Sequence, residues 1–159
     1  QRILALNAEE LGQHLQRLDH KVEIGLRVIW DVPNIFEYFV QTHPELRATR
    51  DRLLGPRHAP TQEDRIELGR MFEHLLNADR EKYTGIVENA VSKSCLEFKR
   101  NRCRNEQEVM NLACLVDRDG PPEFEAAILT AAQCFDNNFS FDYNGPWAPY
   151  SFVNLSLKA

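Results

Sequence analysis

The side chains best suited to metal binding or nucleophilic catalysis are scattered along this chain at spacings that serve neither. Histidines stand at 14, 20, 43, 58 and 74, with no HExxH and no pair at the i, i+4 offset that lets one helix face offer two ligands. Cysteines at 95, 103, 114 and 134 form no CxxC pair and have no histidine at ligand spacing. No GxGxxG, GxxxxGK[ST] or GxSxG stretch occurs, so nucleotide and hydrolase signals are missing. Asp117-Arg118-Asp119-Gly120 resembles the start of a calcium loop, yet it lacks the third acidic position and the closing glutamate, and Pro121 and Pro122 follow. It reads better as a strand-to-helix turn with Asp119 as N-cap, and Asp31 reads as a second cap at a strand end.

Carboxylates are plentiful, but those of Glu9-Glu10, Glu63-Asp64 and Glu123-Phe124-Glu125 fall in first turns of predicted helices, where the helix dipole favours them. The chain is therefore read as a non-enzyme with no cofactor and no metal. Lys99, Arg100, Arg102 and Arg104 cluster in "KRNRCRN", which reads as a solvated strand end and turn. A net charge of −5 argues against non-specific nucleic-acid binding, which needs a surplus of cations to displace counterions. No apolar run approaches the ~18 residues of a membrane span, and no signal peptide is visible. Cys114 and Cys134, among apolar neighbours, read as small buried hydrophobes in a reducing interior.

The elements that would position any site follow from periodicity. Asn7 and Glu10 match a capping box ahead of a helix whose stripe is Leu11, Leu15 and Leu18. "KVEIGLRVIW" alternates Val22, Ile24, Leu26, Val28 and Trp30 with polar residues, the pattern of a half-buried strand. Two short helices follow, with Phe36 and Phe39 on one apolar face and "PELRATRDRLL" closed by Gly55-Pro56. After the "GPRHAP" loop, Thr61 caps a long helix from Gln62 to about Ser92 with inward Ile66, Gly69, Phe72, Leu76, Tyr83, Ile86, Val87 and Ala90. At ~1.5 Å per residue such a helix outruns a small sheet and predicts a bend or an overhang. "CLEFKRN" and "EVMNLACLVDR" are strands, a helix runs from Glu123 to about Phe135, and "FSFDY" is the last strand.

Leaving aside the short helices, the order β-α-β-β-α-β is that of the ferredoxin-like split βαβ unit, an α+β fold with an antiparallel sheet, its first and third strands central. Both helices would cover one sheet face. The other face would carry Gly25, Arg27 and Ile29 beside Asn111, Ala113 and Leu115, a flat patch suited to solvent, the short helices or a partner. The closing stretch Asn144-Gly145-Pro146-Trp147-Ala148-Pro149-Tyr150 cannot continue a strand on this reading. Trp147, Tyr150 and Phe152 are expected to fold back as a lid on the core, or else to meet a partner.

Four stretches, in order and over nearly the whole chain, resemble the gas vesicle F/L protein family (GvpF/GvpL). They are "LDHKVEIGLRVIWD" with the following "PELRATRDRLLG", then "RIELGRMFEHLL", "NLACLVDRDGPPEFEAAI" and "YNGPWAPYSFVNL". Ala148 departs mildly from the family's closing pattern. The resemblance is to the family's C-terminal domain: residues 1–20 are expected as a helix trailing from an absent N-terminal domain, and 21–159 as the ferredoxin-like domain. It implies gas vesicle formation, with the protein a minor component or assembly factor on the vesicle, cytoplasmic during assembly. Its implied partners are the hydrophobic gas vesicle shell protein and other accessory proteins, with no nucleic acid and no membrane. The candidate protein-binding residues are Gly25, Ala113 and Leu115 on the sheet and Trp147, Tyr150 and Phe152 at the closing turn. The alternative is a small-molecule-binding regulatory module on the same fold.

Overall fold

The computed structural model describes residues 2–57, 59–154 and 156; His58 of the "GPRHAP" loop lies outside them. Its frame is strand β1 (Lys21–Trp30), whose alternation buries Ile24, Leu26, Val28 and Trp30 on one side. β1 pairs antiparallel with β3 (Glu108–Asp117), with Gly25 opposite Ala113 and Arg27 opposite Asn111. β2 (Glu97–Arg100) extends the sheet beyond β3, and β4 (Phe139–Trp147) extends it beyond β1. The order β2-β3-β1-β4, antiparallel at every step, puts the first and third strands in the middle as their apolar content predicts.

Two helices cover the face of Ile24, Leu112 and Cys114. They are α5 (Gln62–Val91), through Val87 and Val91, and α6 (Pro121–Ala132), through Phe124 and Ile128. Each such side chain contributes about 1.5–3 kcal/mol by leaving water. Thr61 caps α5 as its sequence predicts, and Asp64 closes the cap into a reciprocal capping box. The length of α5 needs no overhang, because α3 (Ile35–Thr42) and α4 (Pro44–Leu54) fill the space beside its first half. There Phe72 meets Phe36 and Phe39 edge-on at 5.4 and 5.5 Å between ring centroids, and Phe39 meets Trp30 at 5.3 Å. Ile66, expected inward, is exposed, and Leu68 takes its place. The chain begins with α1 (Arg2–Leu6) and α2 (Ala8–Leu18).

Several local readings change. Asn34 caps α3, accepting the Glu37 N–H at 3.0 Å, because the helix starts past Pro33 and out of reach of Asp31. Gly120 precedes α6 in place of Asp119, since Pro121 takes the first helical position. Asn7 turns its amide to the Ile3 carbonyl at 2.7 Å and does not cap α2, because the preceding residues are already helical. Cys134 is exposed, two residues past the end of α6 at Ala132. β4 does continue through Asn144-Gly145-Pro146-Trp147. Asn144 pairs with Gly25 and Trp147 with Glu23, and a register shift absorbs the extra residues. Proline is tolerated there because β4 is an edge strand whose outer N–H groups need no partner. Gly145 takes φ +112°, a conformation side chains resist, and a methyl group there would strike the Glu23 carbonyl.

Candidate binding site

The closing segment is tied down by side chains far from it in sequence. The Glu23 carboxylate, on β1, accepts hydrogen bonds from the Ser151 N–H at 2.8 Å and the Ser151 hydroxyl at 2.5 Å. Lys99 of β2 donates to the Ser151 carbonyl at 3.0 Å. Arg17 of α2 donates to the Phe152 carbonyl at 3.2 Å while pairing with Glu97 at 2.6 Å. These ties hold the 3-10 turn Tyr150–Phe152 on the sheet face that α5 and α6 leave open. Phe152, 5% exposed, packs there on Ala113 and Leu115, each 2% exposed, with Leu18 beside them.

The flat patch read from sequence is therefore partly covered. Ala113 and Leu115 pack against the chain's own closing segment and are each 2% exposed, which leaves a protein surface little of either to touch. Of the three predicted lid residues, Phe152 packs inward, whereas Trp147 and Tyr150 are 57% and 76% exposed. Gly25 lies further along the same face, under the Asn144 side chain.

Trp147 and Tyr150 form one wall of a groove of about 630 Å³. Leu11, His14, Leu15 and Leu18 of α2 form the opposite wall, with Val22 between them and Lys21 and Arg118 at the rim. α2 buries none of its residues, and Leu15 is 74% exposed. Its apolar stripe thus faces the groove and not the core. The Trp147 indole N–H donates to Asn144 Oδ1 at 3.1 Å, which fixes the ring. His14 Nδ1 is buried with no hydrogen-bond partner among the described residues, leaving one polar atom in an otherwise apolar wall. Sequence periodicity marked the α2 stripe without revealing what it faces. His14, Arg17 and the Glu23 clamp carried no local signal at all.

Groups with displaced protonation lie on the helix-covered side. Burial pushes the Tyr38 phenol up to about 12 and raises those of Tyr83 and Tyr143. A thiol-thiol hydrogen bond lowers Cys95 and raises Cys114. Among the described residues, no group of three or more His, Cys, Asp or Glu could hold a metal, and no helix is long and apolar enough to cross a membrane.

Fold and groove together define an α+β module on a four-stranded antiparallel sheet, with an aromatic-walled recess beside its closing turn. Residues 1–154 match the family model described as gas vesicle synthesis protein GvpL/GvpF, and the chain belongs to that family. Gas vesicle protein F of Dolichospermum flosaquae is 24% identical over 147 residues, 92% of this chain and 59% of that protein. Gas vesicle protein F of Haloferax mediterranei is 32% identical over 73 residues, 46% of this chain and 34% of that protein. The crystal structure of GvpF from Anabaena sp. PCC7120 superposes with a TM-score of 0.85 at 22% identity, covering 98% of this chain and 63% of that one. GvpF from Microcystis aeruginosa gives 0.78 at 19% identity, covering 97% and 63%. These likenesses show the fold, and the chain spans about 59% of the length of its first relatives.

Proposed function

We propose that this chain serves gas vesicle formation as a non-catalytic binding module whose groove receives an apolar segment of the small hydrophobic shell protein. Membership in a family described as gas vesicle synthesis proteins supports the process. The observation that carries the site is the groove itself, where Leu15, Trp147 and Tyr150 leave large apolar surfaces facing water. Exposed aromatic and leucine side chains gathered in one recess are costly to solvation and typical of contact surfaces. A subunit apolar enough to line a gas space would aggregate when free, so a recess that covers part of it keeps it assembly-competent. Other accessory proteins would meet the remaining surface, and the module would act in the cytoplasm before joining the vesicle.

The test is co-purification of a gas vesicle shell protein with the tagged chain. Leu15→Arg and Tyr150→Ala should each weaken capture about tenfold or more while melting like the parent, since both side chains are exposed. Undiminished capture by both variants would remove the groove from the contact.

A further inference from the structure

Beyond the groove, the same sheet face holds a second recess of about 300 Å³, which shares none of the groove's lining residues. Gly25 and Ala113, opposite each other in the β1–β3 register, form its floor. A methyl group on Gly25 would strike Asn144 Oδ1, so the glycine is what lets the Asn144 amide lie over the sheet. Arg27, Asn101, Arg104 and Asn111 contribute the walls.

The polar atoms of this recess are unevenly spent. Two carboxylates lie beside it and both face Arg27, whose Nη1 is 3.4 Å from the buried Glu108 and whose Nη2 is 3.0 Å from Oδ2 of the lining Asp142. Glu108 is buried and also accepts the Arg104 N–H at 2.6 Å. A register shift between Val28 and Ile29 sets Glu108 opposite Ile29 and so within reach of Arg27. The donors, in contrast, remain available. Arg27 Nε has no acceptor among the described residues, but it is closed off from solvent and adds positive field to the recess without facing it. An indole N–H can only donate, so the Asn144 atom facing Trp147 is oxygen, which leaves the Asn144 NH₂ group for the recess. The Asn101 and Asn111 amides share one contact at 3.5 Å, and whichever of the two donates, the pair keeps unspent N–H groups. Arg104 adds a guanidinium with no ion pair among the described residues.

A recess with more spare donors than spare acceptors, and a guanidinium outside any ion pair among the described residues, favours an anionic acceptor. We infer that this recess binds a carboxylate group, held by the Asn144 amide, the Asn101–Asn111 amide pair and the Arg104 guanidinium. Charge-assisted bonds of this kind are about twice as strong as neutral ones. The volume lies at the small end of ligand sites, which suits a short dicarboxylate or the terminal carboxylate of a polypeptide, the two sources of the same chemistry.

The experiment is an amide-resolved NMR titration of the full chain with succinate, with N-acetyl-trialanine acid, and with the corresponding C-terminal amide. Either acid should shift the Gly25 and Ala113 signals saturably, and the amide should not. Succinate binding assigns the site to free small carboxylates, while binding of the peptide acid alone assigns it to chain termini. Asn144→Asp keeps the acceptor for Trp147 but replaces a donor with a repelling charge. It should weaken binding at least about tenfold, and Arg104→Gln should weaken it less, both with unchanged melting temperature. The inference is overturned if neither acid shifts those signals, if the amide binds as well as the acid, or if Asn144→Asp binds like the parent. Loss of shell-protein capture by the groove variants would leave these results untouched.

Discussion

Glu23 holds Ser151 by two hydrogen bonds across 128 residues of chain, one to the backbone N–H and one to the hydroxyl. Ser151 sits between Tyr150, which faces the groove, and Phe152, which seals Ala113 and Leu115. One carboxylate on the central strand therefore sets both the shape of the recess and the cover of the second sheet face. The clamp spans the whole fold, because β1 is early in the chain and the turn is near its end. Any segment that binds the groove meets a wall whose position depends on this bond pair.

Glu23→Gln removes the negative charge and one of the two acceptor oxygens, leaving a partly buried Ser151 donor poorly matched. We expect a loss of about 1–3 kcal/mol, since an unmet buried donor costs its full desolvation. Urea unfolding measures the loss. Hydrogen exchange at the Ser151 amide should rise well beyond the rise at β1 and β3. An unchanged Ser151 exchange rate would mean that Lys99 and Arg17 suffice to hold the turn.

Tyr38 links burial to pH. Its phenol is pushed from 10.0 up to about 12, first by desolvation and then by the negative charges of Asp136, Tyr83 and Asp79. Between about pH 10 and 12 the unfolded chain therefore releases this proton first and binds fewer protons than the native state. Stability from this group is complete below about pH 10 and is lost as pH rises through the folded value. Tyr38→Phe should make the alkaline fall of the urea midpoint less steep, while leaving its slope near neutral pH as in the parent.

The outcome for the fold shows what periodicity can and cannot carry. In β1 the period-2 pattern specified both element and face, because slipping Ile24, Leu26, Val28 and Trp30 by one residue would turn all four outward. The Thr61 cap was legible because a cap and the helix it starts are neighbours in sequence, while its closure into a box by Asp64 came from the structure. In α2, an equally clear stripe said only that one face prefers apolar company, and Leu15 ended at the groove instead of the core. Pro146 and Pro149 predict an end to the ladder, yet β4 runs through Pro146 to Trp147, because an edge strand has no outer neighbour to serve. The donor-rich recess was half visible, since Gly25 and Ala113 stood out as small residues on one face. Its chemistry comes from Asn144 and Arg104, brought over that floor by tertiary contacts alone.

Phe152 and Trp147 were read together from sequence as a lid, and the structure separates them into two roles that one pair of variants can distinguish. Phe152 is buried on Ala113 and Leu115, so Phe152→Ala removes a ring from a packed site and should cost about 3–5 kcal/mol. Trp147 keeps more than half its surface in water and holds its place through the Asn144 bond, so Trp147→Ala should cost about 1 kcal/mol or less. Binding should sort the two in the opposite order. Trp147→Ala removes a groove wall from an otherwise intact fold and should lose shell-protein capture at temperatures where the parent and variant are both folded. Phe152→Ala should lose capture only in step with its lowered stability, which thermal melts run beside the co-purification will reveal. Should Trp147→Ala melt well below the parent, the ring is packing after all and its exposed face is incidental to function.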